Sequence, residues 1–192
     1  MFKPIRTALL GGTFNPLHNG HLTIARSVLE QGLADEVWIL ITPCNPWKTD
    51  QILLDDKLRY DMAAEAVKEI KGIHVSDYEF HLPQPSYTAD TLRSISADYP
   101  DREFILTIGA DNWVKFDEWR DYSYIKSNYK IIVYPRTGYE TTPTPGGVTL
   151  LDCPLVDLSS TDIRKRVANG ESINEMVPAS VARTIKELNL YR

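Results

Sequence analysis

Short runs of near-continuous apolar residues alternate along this chain with stretches of helical spacing, and that alternation allows few folds. Residues 7–10, 36–42, 73–75, 103–109, 130–134 and 148–151 read as strands. Residues 20–31, 54–71 and 88–99 read as helices between them, the last stopped by Pro100. Short helical pieces fill residues 113–127, and two helices, about residues 161–169 and 178–188, close the chain. A strand that is apolar at successive positions is covered on both faces, so the pattern predicts an α/β fold: a doubly wound parallel sheet with helices on either side. The length of 192 residues fits one domain spanning residues 1–192. Ligands in such sheets bind beyond the carboxyl ends of the strands, where the winding direction switches.

The first strand runs into Gly11-Gly12-Thr13-Phe14-Asn15-Pro16-Leu17-His18-Asn19-Gly20-His21-Leu22. This stretch predicts a glycine turn between a strand and a helix N-terminus, with Asn19 as the helix cap. Gly11 and Gly12 let the backbone turn and approach a ligand without a Cβ clash, and Pro16 restricts the loop. Free N–H groups and the positive end of the helix dipole favour an anion there. His18 and His21, three apart, lie on one side of the first helical turn. Their N–H groups can donate to phosphate oxygens, most strongly when charged.

A second stretch, Leu158-Ser159-Ser160-Thr161-Asp162-Ile163-Arg164-Lys165-Arg166, combines hydroxyls, a helix start capped by Ser160 or Thr161, and an arginine suited to forked contacts with phosphate. Lys48, in Asn45-Pro46-Trp47-Lys48, offers a further phosphate contact from a loop, or is a solvated surface lysine.

Composition narrows the partners. A formal net charge of −5 argues against a broad nucleic-acid footprint, which needs a basic face. A local basic cluster can still take a small anion. No run reaches the length of a membrane span, and Lys3, Pro4 and Arg6 interrupt any signal-peptide core. Two cysteines, Cys44 and Cys153, build no disulfide framework and read as reduced thiols of a cytoplasmic protein. No protein metal site is expected, because neither cysteine has a partner at ligand spacing. GxGxxG and GxxxxGK[ST] loops do not occur in the chain.

The Gly-Gly-Thr-Phe-Asn-Pro-x-His-x-Gly-His-Leu form resembles the nucleotidyltransferases with the (T/H)xGH signature, and among them the bacterial nicotinate-nucleotide adenylyltransferase family. That family usually has Asp where this chain has Asn15. Ser159-Ser160-Thr161-x-Ile163-Arg164 resembles the second signature of the same family, about 140 residues later. Three segments between them also match. Ser86-Tyr87-Thr88 resembles a segment whose backbone N–H groups receive the nicotinate carboxylate. Gly109-Ala110-Asp111 resembles a GxD whose carboxylate lies near the nucleotide sugar. Phe116-Asp117-Glu118-Trp119 resembles an FxxW segment whose Trp stacks on the pyridine ring. On residue type alone, Trp119 reads as core packing and Asp111 as a helix cap. Arg136 resembles a strand-end Arg near the nucleotide.

The resemblance implies a Rossmann-like sheet and adenylyl transfer from ATP to nicotinate mononucleotide, with release of pyrophosphate. His18, His21 and Arg164 are then catalytic. Gly11, Gly12, Thr13, Phe14, Lys48, Asp111, Ser159, Ser160 and Thr161 hold ATP and its phosphates. Tyr87, Thr88 and Trp119 hold the mononucleotide, and Mg²⁺ arrives bound to ATP. The remaining alternatives are superfamily transferases acting on nicotinamide mononucleotide, phosphopantetheine, FMN or glycerol phosphate, and a nucleotide-binding regulator without catalysis.

Overall fold

A computed structural model describes residues 3–43, 53–139, 146–155 and 157–192. Lys48, Asn45, Pro46, Trp47 and Cys44 lie outside them. Six parallel strands form one sheet in the order β3-β2-β1-β4-β5-β6. They are β1 (Ile5–Gly12), β2 (Glu36–Ile41), β3 (Ile73–Ser76), β4 (Arg102–Gly109), β5 (Lys130–Tyr134) and β6 (Val148–Leu150). The helices are α1 (Asn19–Glu30), α2 (Asp56–Val67), α3 (Thr88–Asp98), α4 (Ala110–Trp113), α5 (Tyr122–Asn128), α6 (Ser160–Ala168) and α7 (Ala179–Glu187). Among the described residues no helix is long and apolar enough to cross a membrane.

The inner strands carry apolar residues at successive positions because alternate residues enter different cores. Ala8, Leu10, Val37, Ile39 and Ile132 pack beneath α1 and α2 with Leu22, Ala25, Val28, Ala63 and Val67. Leu9, Leu106, Ile108, Ile131 and Val133 pack on the opposite face with Leu92 and Ile95 of α3 and Ile125 of α5. A third cluster joins α2, α6 and α7 through Met62, Ile163, Val167, Val181 and Ile185. The doubly wound architecture read from the sequence is therefore the observed one.

Several local expectations are corrected. Gly11 and Gly12 are not in the turn: they are the last two residues of β1, paired with Leu40 and Ile41 of β2. The helix cap is His18, with extended backbone, and Asn19 is the first helical residue. Asn19 instead reaches across the chain, its side-chain amide donating to Glu175 O at 2.8 Å and its N–H to Met176 O at 2.9 Å. Ser159, not Ser160 or Thr161, caps α6. Asp111 is the second residue of α4, whose cap is Gly109. Helix α2 is shorter at both ends than its apolar spacing suggested.

β1 pairs with β2 on one side and β4 on the other. The winding reverses there, so a crevice opens at the carboxyl ends of β1 and β4.

Candidate active site

The loop between β1 and α1 has an unusual backbone. Phe14 takes φ 43°, and the Asn15–Pro16 peptide is cis. A left-handed conformation costs a phenylalanine about 1–3 kcal/mol and persists only where packing over-determines it. Here Phe14 is buried beneath Gly12, where a Cβ would come within 3.3 Å of its ring. Its edge meets the His21 ring, with centroids 4.8 Å apart at 77°.

The two imidazoles stack, with centroids 3.6 Å apart at 21°. The His18 backbone N–H donates to His21 Nδ1 at 3.2 Å, so His21 satisfies one orphan donor at the helix start. That bond assigns the tautomer: Nδ1 accepts, so a neutral His21 carries its proton on Nε2. Burial, with His18 and then Arg136 adding repulsion, holds the His21 pKa well below the usual range. Burial first, and then Arg136, lowers His18 to about 4. Both rings are therefore neutral near pH 7. Their stronger, charged form is thus disfavoured near pH 7, because two stacked imidazolium cations beside an arginine repel one another.

A pH dependence follows. The unfolded histidines take up protons near pH 6.5, whereas His18 in the folded protein does so only near 4. The unfolded chain binds more protons in that window. Stability from this source is complete above about pH 6.5 and falls as the pH drops, at up to ~1.4 kcal/mol per pH unit for each such histidine. Urea unfolding between pH 7.5 and 5 should show this loss, and His18→Asn should flatten it. Parallel profiles for the two proteins would exclude His18 as a source.

The two sequence motifs meet in space. Ser160 Oγ donates to Pro16 O at 2.9 Å, and Arg164 Nη1 donates to Asn15 O at 2.8 Å. Arg164 Nη2 also reaches Thr161 Oγ1 at 3.3 Å. A guanidinium has five N–H donors, so Arg164 can grip the loop and still present donors to an anion. Ser159 Oγ accepts from Asp162 N at 3.1 Å and donates to Asp162 Oδ2 at 2.6 Å. From the far end of the chain, Tyr191 donates its hydroxyl to Asn15 Oδ1 at 2.8 Å. Asn15 is thus bound on its carbonyl and on its side chain, and is only 1% exposed.

Beyond the strand ends lie two unequal spaces. A cleft of about 430 Å³ is bordered by Gly11, Gly12 and Thr13, by Tyr87 and Thr88 at the start of α3, and by Trp119. A Cβ on Gly11 would meet no protein atom within 4 Å, so the missing side chain leaves ligand space. His18 and His21 do not line this cleft. They line a pocket of about 10 Å³ with Arg136 and Cys153, and Tyr134 is a wall of both. Asp111 Oδ1 faces Arg136 Nε across 3.8 Å, and both atoms are buried without a hydrogen-bond partner. A Cβ at Gly109 would collide with Asp111 Oδ1, so glycine there leaves this carboxylate its place. Trp119 is partly exposed to the cleft, though it also touches Phe116, with centroids 5.5 Å apart.

A cytidylyltransferase-like family model matches residues 9–166. A Bacteroides fragilis protein named probable nicotinate-nucleotide adenylyltransferase is 42% identical over 185 residues, covering 95% of this chain and 92% of its own. A Porphyromonas gingivalis protein of the same name is 39% identical, covering 90% and 89%. The chain belongs to the nicotinate-nucleotide adenylyltransferase family. A Plasmodium falciparum nicotinic acid mononucleotide adenylyltransferase, solved with NaAD, shares the fold at a TM-score of 0.83 and 20% identity, with 97% of each chain covered.

For a member of this family, some residues around the site carry no sequence signal. Arg59, 1% exposed, sits in α2 and binds loop carbonyls, including that of Thr13. Nothing in helical spacing distinguishes it from a surface arginine. Glu79 lies in a 3₁₀ turn, Tyr78–His81, and borders the cleft while only 7% exposed. Its neighbours include Thr42, just after β2, and Thr91 of α3, which adjoin it only in the folded chain.

Proposed function

We propose that this protein transfers the adenylyl group of ATP to the 5′-phosphate of nicotinate mononucleotide, forming nicotinate adenine dinucleotide and pyrophosphate. The observation that carries this reading is the junction of the two motifs. Arg164 and Ser160 hold the carbonyls of the Asn15–Pro16 segment beside two stacked imidazoles, with an open cleft on the other side of Gly11 and Gly12.

The acceptor phosphate is the nucleophile and needs no activated side chain. Catalysis is then positioning plus stabilisation of charge on the transferring group and the leaving pyrophosphate. His21 donates from Nε2 to a phosphate oxygen, and His18, stacked on it, offers a second imidazole. Arg164 supplies the fixed positive charge that the neutral histidines do not. The Thr13 and Thr161 hydroxyls add donors, and Ser159 and Ser160 add backbone N–H groups at the start of α6, while Gly11 and Gly12 permit close backbone approach. Asp111 lies on the nucleotide sugar side, and Lys48 adds a phosphate contact. ATP enters as its Mg²⁺ complex, with the metal held by phosphate oxygens and water. These soluble substrates fit a cytoplasmic site of action.

On the acceptor side, Trp119 stacks on the pyridine ring, and N–H groups at Tyr87 and Thr88 receive its carboxylate. A carboxamide would turn an NH₂ towards a donor, a mismatch of about 1–3 kcal/mol. Nicotinate mononucleotide should be preferred over nicotinamide mononucleotide by roughly ten-fold or more in kcat/KM at fixed MgATP. A ratio near one, or in favour of the amide, would overturn the acid specificity. Turnover only with phosphopantetheine, FMN or glycerol phosphate would overturn the pyridine acceptor altogether.

A further inference from the structure

The cleft contains a buried carboxyl group that makes no ion pair among the described residues. Glu79 is 7% exposed. Its Oε1 accepts from Thr91 Oγ1 at 2.9 Å, and its Oε2 has no hydrogen-bond partner among the described residues. Burial raises its pKa. The groups opposing that rise are the hydroxyls of Thr91, Thr42 and Ser86, with no cation among them. One more side-chain atom bordering the same cleft, Thr107 Oγ1, is buried and unpartnered. Buried polar atoms are normally paired, and a buried carboxylate without a counter-charge is costly. Two such atoms around one open cleft point to a ligand that completes them.

We infer that Glu79 is the counter-charge for the acceptor ring: its carboxylate in the cleft recognises the fixed positive charge of an N-substituted pyridinium. The inference rests on the adenylyl-transfer reading and specifies how that site selects its acceptor. A purine, a pyrimidine or a flavin carries no permanent cation; a pyridinium glycoside always does. Trp119, bordering the same cleft, offers an aromatic face, which also favours a cation. Electrostatic complementarity of this kind discriminates between ligands of one shape. The competing role for Glu79 is to accept from neutral ribose hydroxyls, which would make it indifferent to ring charge.

Nicotinate mononucleotide and its 1,4-dihydro form separate the two roles. They share the sugar, phosphate and carboxylate, and differ in ring charge and pucker. Glu79→Gln keeps the size and the Thr91 contact. It should raise the KM for the pyridinium acceptor about ten-fold or more, the scale of losing a partly buried charge contact. The KM for the dihydro form, the KM for ATP and kcat should stay within about three-fold, because the reacting phosphate is remote from the ring. In the unsubstituted protein, isothermal titration should show tighter binding of the pyridinium than of the dihydro form, a measurement independent of how the variant folds. Equal KM increases for both acceptors, or no change for either, would overturn the charge role while leaving adenylyl transfer intact. If the unsubstituted protein turned over no pyridine mononucleotide at all, the adenylyl-transfer reading would fail and this assignment with it.

Discussion

Replacing His21 by alanine lowers kcat by about 10²–10³-fold, the scale of losing one positioned donor in the transition state. The geometry makes this donor unusually well defined. Nδ1 is committed to the His18 N–H at 3.2 Å, so the proton sits on Nε2, and the ring is clamped between His18 and the edge of Phe14. A neutral donor held by packing needs no reorganisation as charge develops on the phosphates. The structural cost is smaller: one helix-start N–H loses its acceptor, worth about 0.5–2 kcal/mol. The variant should therefore remain folded by circular dichroism and bind ATP while turning over slowly. Single-turnover measurement with saturating substrates is the direct check. A near-normal rate would remove His21 from the chemistry.

Arg59→Met should be the most destabilising substitution near the site, costing about 3–5 kcal/mol. The guanidinium side chain is 0% exposed and pairs with Asp56. It donates to Leu54 O at 3.1 Å, to Thr42 O at 3.0 Å, to Pro43 O at 3.2 Å and to Thr13 O. Thr13 and Thr42 directly follow β1 and β2, so one side chain of α2 ties together the strand ends that shape the cleft. Methionine fills much of the volume and leaves those carbonyls without donors, each at about 1–3 kcal/mol if water cannot enter. For a chain of this size the loss corresponds to a fall of about 6–20 °C in Tm. Urea unfolding gives the free energy directly. A loss below about 1 kcal/mol would mean that water replaces the arginine and that the loops hold themselves. Because Thr13 opens the signature loop, catalytic activity should fall even at temperatures where the variant is folded.

The contrast between His21 and Arg59 separates what was legible in the chain from what was not. His21 is conspicuous because a strand, glycines and a helix start surround it within a few residues. Arg59 looks like any polar position on a helix, and its acceptors come from segments up to 46 residues away. Glu79 is hidden for the same reason: its Thr91 contact and its burial both arise from packing between elements. The helix caps erred by only a residue or so. Several side chains near each helix start could have capped it, and the choice fell to tertiary contacts such as Asn19 with Glu175 and Ser160 with Pro16.

The sequence by itself determined the doubly wound sheet, since runs apolar at successive positions must be buried on both faces. It also determined the two stretches proposed to bind anions, because glycines, hydroxyls and basic groups adjacent in the chain stay adjacent in any fold. The tertiary structure alone decided three things. It brought Arg164 onto Asn15, 149 residues away, and so made two motifs into one site. It made the histidines neutral, because their protonation depends on burial and on Arg136, neither of which is local. It also separated the imidazoles from the large cleft, with Tyr134 between the two spaces. Periodicity and local chemistry are properties of neighbours along the chain; desolvation, charge balance and the shape of a cleft are properties of neighbours in space.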